Sequence, residues 1–120
     1  MNKRTVILGA SSNPERYSYK ATVRLKEAGH SVFPVGIKAG DINGELILVG
    51  KPAIENVDTV TLYVSKENQK EWYDYILSLK PKRIIYNPGT ENDDLVKLAK
   101  KNGIESEVAC TLVLLSLSEY

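Results

Sequence analysis

Residues 4–35 read RTVILGASSNPERYSYKATVRLKEAGHSVFPV, and this stretch decides the fold. Thr5 to Leu8 is a short, continuous apolar run of the kind that fills a strand buried on both faces. It ends in Gly9-Ala10-Ser11-Ser12. From about Ser18 to Ala28 the pattern turns helical, with Ala21, Leu25 and Ala28 on one stripe and Gly29 placed to end it. Ser31 to Val35 then returns to a buried strand. Strand, crossover helix and strand in this order make a parallel pair with a right-handed connection.

The alternation continues along the chain. Thr59 to Val64, Arg83 to Tyr86 and Ile104 to Ala109 read as further buried strands. A second helical pattern follows Ser65, a good N-cap; Trp72, Tyr75, Ile76 and Leu79 fall at i, i+3, i+4 and i+7, and Pro81 stops it. A third opens at Thr90, with Asp93 supplying an acidic form of the capping box, turns Leu95, Leu98 and Ala99 inward and ends at Gly103. Asp41-Ile42-Asn43-Gly44 reads as a turn and Glu45 to Val49 as a short edge strand, while Cys110 to Leu117 fits either a helix or a last strand. The expectation is an α/β, Rossmann-like, doubly wound fold: a mostly parallel sheet of five to six strands in three α/β/α layers, one domain over residues 1–120.

Composition narrows the function classes. The 120 residues carry a net charge of +1, with scattered basic residues that suggest neither nucleic acid nor a membrane surface as partner. No apolar stretch approaches the ~20 residues of a membrane span, and the basic start reads as no signal peptide. One cysteine, Cys110, excludes an internal disulfide and fits a reducing compartment, so a cytoplasmic location is expected.

In an open parallel sheet, ligands bind outside the carboxyl ends of the strands, near the point where strand order reverses. The loops after Leu8, Val35, Val64 and Tyr86 are therefore where chemistry is sought. In the first, a helix start offers unpaired N–H groups and partial positive charge to a phosphate. Gly9 permits close approach, Ser11 and Ser12 add hydroxyl donors, and Arg16 suits bidentate phosphate pairing. The dinucleotide pattern G-x-G-x-x-G fails because Ser11 takes the second glycine position, and no Walker A motif is present; a plain tight turn is the competing reading. After the second strand, where NAD-binding folds place an acid, the chain has Gly36-Ile37-Lys38. A cation there suits a phosphorylated ribose, as in NADP or the 3′-phospho-ADP of coenzyme A.

Gly9-Ala10-Ser11-Ser12-Asn13-Pro14-Glu15-Arg16-Tyr17-Ser18 resembles the G-A-S-x-N-P-x-R-x-S opening of the small CoA-binding-domain proteins, whose fold is similar to the nucleotide-binding domain of the succinyl-CoA synthetase α-subunit. The similarity runs on through Gly29-His30, Val32-Phe33-Pro34-Val35, Lys38 and Ile42-x-Gly44. The resemblance implies coenzyme A, free or acylated, as cofactor, and no established chemistry for stand-alone members. It implies that Gly9, Ala10, Ser11 and Ser12 hold the pyrophosphate, with Arg16 and Ser18 in support and Lys38 at the adenosine-phosphate end. Val64, Ser65, Pro88 and Gly89 would line the cleft. The chain differs from the family in having Gly36-Ile37 where Asn-Pro is common, in its apolar segment after Cys110, and in lacking Ser-Leu after Gly44.

No catalytic constellation is legible. His30, the single histidine, falls in a turn at the end of the sheet away from the cleft. Cys110 follows the last strand and reads as a buried, inert thiol, with a mixed disulfide to the pantetheine as the alternative. Glu91, Asp93 and Asp94 suit a helix's first turn better than a metal site, and Tyr17 or Tyr19 offers either adenine stacking or packing. The expected function is a non-catalytic CoA-binding module that serves a small nucleotide ligand and acts as a homodimer or with a partner enzyme. An NADP-binding oxidoreductase or redox sensor is one alternative; an interaction domain with a vestigial cleft is the other.

Overall fold

The computed structural model describes residues 2–120. Six parallel strands form the main sheet: β1 (Thr5–Leu8), β2 (Val32–Gly36), β5 (Leu48–Val49), β6 (Thr59–Leu62), β7 (Arg83–Tyr86) and β8 (Glu105–Val108). Their spatial order is β5-β2-β1-β6-β7-β8. The chain winds outward from β1 through β2 to β5, returns to β6 on the other side of β1, and winds outward again. Strand order thus reverses between β1 and β6, the place where a doubly wound sheet opens its crevice.

The sheet is covered on both faces, which is why its strands read as unbroken apolar runs. On one face Val6, Leu8, Val60, Leu62, Ile84 and Tyr86 pack against the helices α3 (Tyr73–Ser78) and α4 (Asp93–Lys101). On the other, Ile7 and Val32 meet Leu25 of α1 (Tyr17–Glu27) and Leu115 of α5 (Thr111–Ser116). Full burial of each such side chain contributes roughly 1.5–3 kcal/mol. Pro34 sits inside β2 without cost to the ladder. Val35 turns its carbonyl to β1, so Pro34 faces the outer edge, where β5 pairs only with Val35 and Gly36.

Several boundaries differ from the sequence reading. The α1 helix begins at Tyr17, and Ala28 is exposed beyond its end. The second helical region is broken into α2 (Lys66–Gln69), a 3₁₀ turn over Lys70–Trp72, and α3. Thr90 does not cap α4: its hydroxyl donates to the Asn87 carbonyl, and Asn92 is the N-cap, its Oδ1 accepting from the amides of Asp94 and Leu95 at 3.1 and 3.3 Å. Glu45 to Val49 is not one strand. Glu45–Leu46 (β4) pairs antiparallel with Asp41–Ile42 (β3) across the expected turn, and only Leu48–Val49 joins the sheet. The β8 strand is an exposed edge, not a buried strand, with Glu105, Ser106 and Val108 open to solvent. Cys110 to Leu117 resolves as helix α5, which Cys110 precedes. Among the described residues no helix is long and apolar enough to cross a membrane.

Candidate functional site

The carboxyl ends of β1, β2, β6 and β7 carry loops that pack on one another at the strand-order reversal. Gly9 has φ +96°, and a β-carbon built on it would lie 2.8 Å from both the carbonyl carbon and oxygen of Tyr63. The Tyr63 amide in turn donates to the Leu8 carbonyl at 2.8 Å. The glycine is therefore required by the neighbouring chain at the crevice floor. On the opposite side, a β-carbon on Gly36 would meet the Ala10 carbonyl oxygen at 2.6 Å, and Ser12 packs against Gly40. The β2 loop thus packs against the β1 loop, and Lys38 on it is exposed.

The amides of the first loop divide into two groups. Those of Gly9 and Ala10 both donate to the Val35 carbonyl at 2.9 Å, so they serve the sheet. The Asn13 amide is taken by Ser11 Oγ at 3.1 Å, and the Glu15 amide by Asn13 Oδ1 at 3.0 Å. Among the described residues, the amides of Ser11, Ser12, Tyr17, Ser18 and Tyr19 have no partner. Because Ser11 Oγ accepts from Asn13, its proton points elsewhere and is available to a ligand. Arg16 is exposed at the N-cap of α1, whereas Ser18 is buried. An anion fits this corner, because orphan amides at a helix start are what a phosphate satisfies.

The remaining sequence-nominated residues lie on the β6 and β7 side. Val64 is half-buried, and Ser65 is the exposed N-cap of α2, its Oγ accepting from Asn68 Nδ2 at 3.0 Å. Pro88 and Gly89 are exposed after β7, and the Gly89 amide donates to the Glu91 carboxylate at 2.8 Å.

Sequence reasoning missed what lies beneath these loops. Asn87, buried, donates to Thr61 Oγ1 at 2.6 Å and the Leu62 carbonyl at 2.8 Å, and its Oδ1 accepts from the Thr111 amide at 2.9 Å. Thr61 and Thr111 also bond through their hydroxyls at 2.8 Å. One asparagine therefore ties β6, β7 and the start of α5 together. The available signal was Thr61 interrupting an apolar run and Asn87 ending one.

Tyr63 also borders this region, and burial pushes its phenol up to about 12, so it stays protonated at neutral pH. His30 lies at the amino end of the sheet, as the sequence implied; its Nδ1 accepts from the Lys3 amide at 2.9 Å, and burial lowers its pKa. Cys110, expected to be buried, is only half-buried, because it lies in the loop between the open edge strand β8 and α5. A groove of about 860 Å³ between Arg4, Asp58 and Lys82 also opens at the amino end, away from all four loops.

The family model described as CoA binding domain matches residues 3–116. No curated protein sequence matches the chain. The crystal structure of an uncharacterized protein superposes with TM-score 0.97 at 52% identity, covering 100% of this chain and 99% of its own. The structure of cell-free ID.343 from Thermus thermophilus gives TM-score 0.86 at 21% identity, covering 99% of this chain and 91% of its own. The dinucleotide-forming acetyl-coenzyme A synthetase 1 of Ca. Korarchaeum cryptofilum, in complex with phosphate and ADP, gives 0.71 at 18% identity, covering 92% of this chain but 26% of its own.

Proposed function

The chain belongs to the CoA binding domain family, and from that premise we propose that it binds coenzyme A, free or acylated, as a single non-catalytic module. The observation that carries this reading is the set of unpartnered amides of Ser11, Ser12 and the α1 start at the reversal of strand order. They receive the pyrophosphate, assisted by the Ser11 hydroxyl and by Arg16. This refines the sequence expectation, because Gly9 and Ala10 contribute shape while their amides stay on Val35. Lys38, on the loop that packs against the first, meets the 3′-phosphate. Val64, Ser65, Pro88 and Gly89 border the arm that carries the thiol. With one cysteine the protein suits a reducing cytoplasm, where it holds CoA for a partner enzyme.

Calorimetric titration with CoA, dephospho-CoA, NADP and NAD tests the assignment. CoA should bind, and removal of its 3′-phosphate should weaken binding roughly fivefold, the scale of one exposed ion pair. Equal affinity for dephospho-CoA would remove Lys38 from the site. Binding of NADP without binding of CoA would replace the reading with that of a nicotinamide protein.

A further inference from the structure

The side chain of Gln69 joins the two loops on the β6–β7 side of the crevice. Gln69 ends α2 and is 0% exposed, although its side chain is an amide. Its Nε2 donates to the Val64 carbonyl at 2.9 Å and to the Thr90 carbonyl at 2.8 Å. Its Oε1 accepts from Asn92 Nδ2 at 2.9 Å, and the same nitrogen donates to the Tyr73 hydroxyl at 2.8 Å. Burying an amide is unfavourable unless its donors and acceptor are met, and here both N–H groups and the oxygen are. A methionine would fill the space without that requirement. What only the amide supplies is a bridge between two backbone carbonyls on different loops.

Those carbonyls stand next to Ser65 and Gly89, at the ends of adjacent strands about 4.8 Å apart. Neither loop is held to the other there by strand pairing, since the ladder between β6 and β7 stops at Leu62 and Tyr86. With the pyrophosphate on the β1 loop and the ribose phosphate toward Lys38 beyond β2, the rest of the ligand has only the β6–β7 side to occupy. We propose that Gln69 is a positioning residue that sets the gap between these loops for an uncharged, amide-bearing thiol arm, the pantetheine portion of CoA. This rests on the CoA reading above and assigns the determinant of affinity for the arm as distinct from the nucleotide.

The test compares Gln69→Met with the unaltered protein by titrating each with CoA and with 3′-phospho-ADP, which keeps the pyrophosphate and lacks the arm. CoA affinity should fall about tenfold, the effect of two buried carbonyls losing their donor and the gap relaxing, while affinity for 3′-phospho-ADP stays unchanged. Tyr73→Phe, which removes a hydrogen bond of the same network without touching either loop, should alter neither ligand and so separates stability from positioning. Should Gln69→Met fail to fold, the unaltered protein still decides: the side-chain amide signal of Gln69 in NMR should shift with CoA and not with 3′-phospho-ADP. Equal losses for both ligands, no loss for either, or an unmoved Gln69 signal on CoA binding would overturn the inference alone. Absence of CoA binding by the unaltered, folded protein would overturn the functional reading and this inference with it.

Discussion

Gly9 and Tyr63 meet backbone to backbone across the reversal of strand order, so closely that a β-carbon on Gly9 would lie 2.8 Å from the Tyr63 carbonyl. Space and conformation both forbid a side chain here, since Gly9 has φ +96°. Gly9→Ala should destabilise the protein by at least about 2 kcal/mol, combining left-handed strain with overpacking. An unfolding free energy from urea titration lowered by less than that would show that the two loops separate readily.

Asn92 does the capping that the sequence pattern assigns to Thr90. It caps α4 through Oδ1 and holds Gln69 and Tyr73 through Nδ2. Asn92→Ala should cost about 2–3 kcal/mol, the loss of a cap plus buried hydrogen bonds. Asn92→Asp keeps the acceptor but not the donor, and equilibrium unfolding should place it between the two. Equal stability of Asn92→Ala and the parent protein would contradict the assignment.

Alkaline stability should report Tyr63. Its pKa is raised by burial from 10.0 to about 12, so the folded state favours the neutral phenol. That stability is fully present below pH 10.0 and is lost as pH rises through about 12. Unfolding free energy measured across this window should fall by about 2–3 kcal/mol on account of this residue. Tyr63→Phe should flatten the profile there, and an unchanged slope would mean that the phenol reaches water in the folded state.

Two cations should divide the ligand between them. Arg16→Ala should weaken CoA and dephospho-CoA alike, by about tenfold, if it meets the pyrophosphate. Lys38→Ala should weaken CoA roughly fivefold and leave dephospho-CoA untouched. Titration of both variants with both ligands gives the answer, and a Lys38 variant that loses both equally would move the lysine away from the 3′-phosphate.

What the sequence determined by itself was the architecture. Val6-Ile7-Leu8 and Ile84-Ile85-Tyr86 are apolar at every position because both sheet faces are covered, and that pattern is legible wherever burial has a fixed period. The helices between them carried their own apolar stripes and stops, so parallel winding and the crevice followed. Where burial was partial, the pattern misled: Glu105-Ser106-Glu107-Val108 lies on an open edge, with Glu107 paired to Arg83 at 3.1 Å. Tertiary structure alone decided which amides are free. Val35 claims those of Gly9 and Ala10 from another strand; Gln69 reaches Thr90 across 21 positions, and Asn87 reaches Thr61 across 26. Such bonds depend on how loops from different strands approach one another, and no local periodicity records that distance.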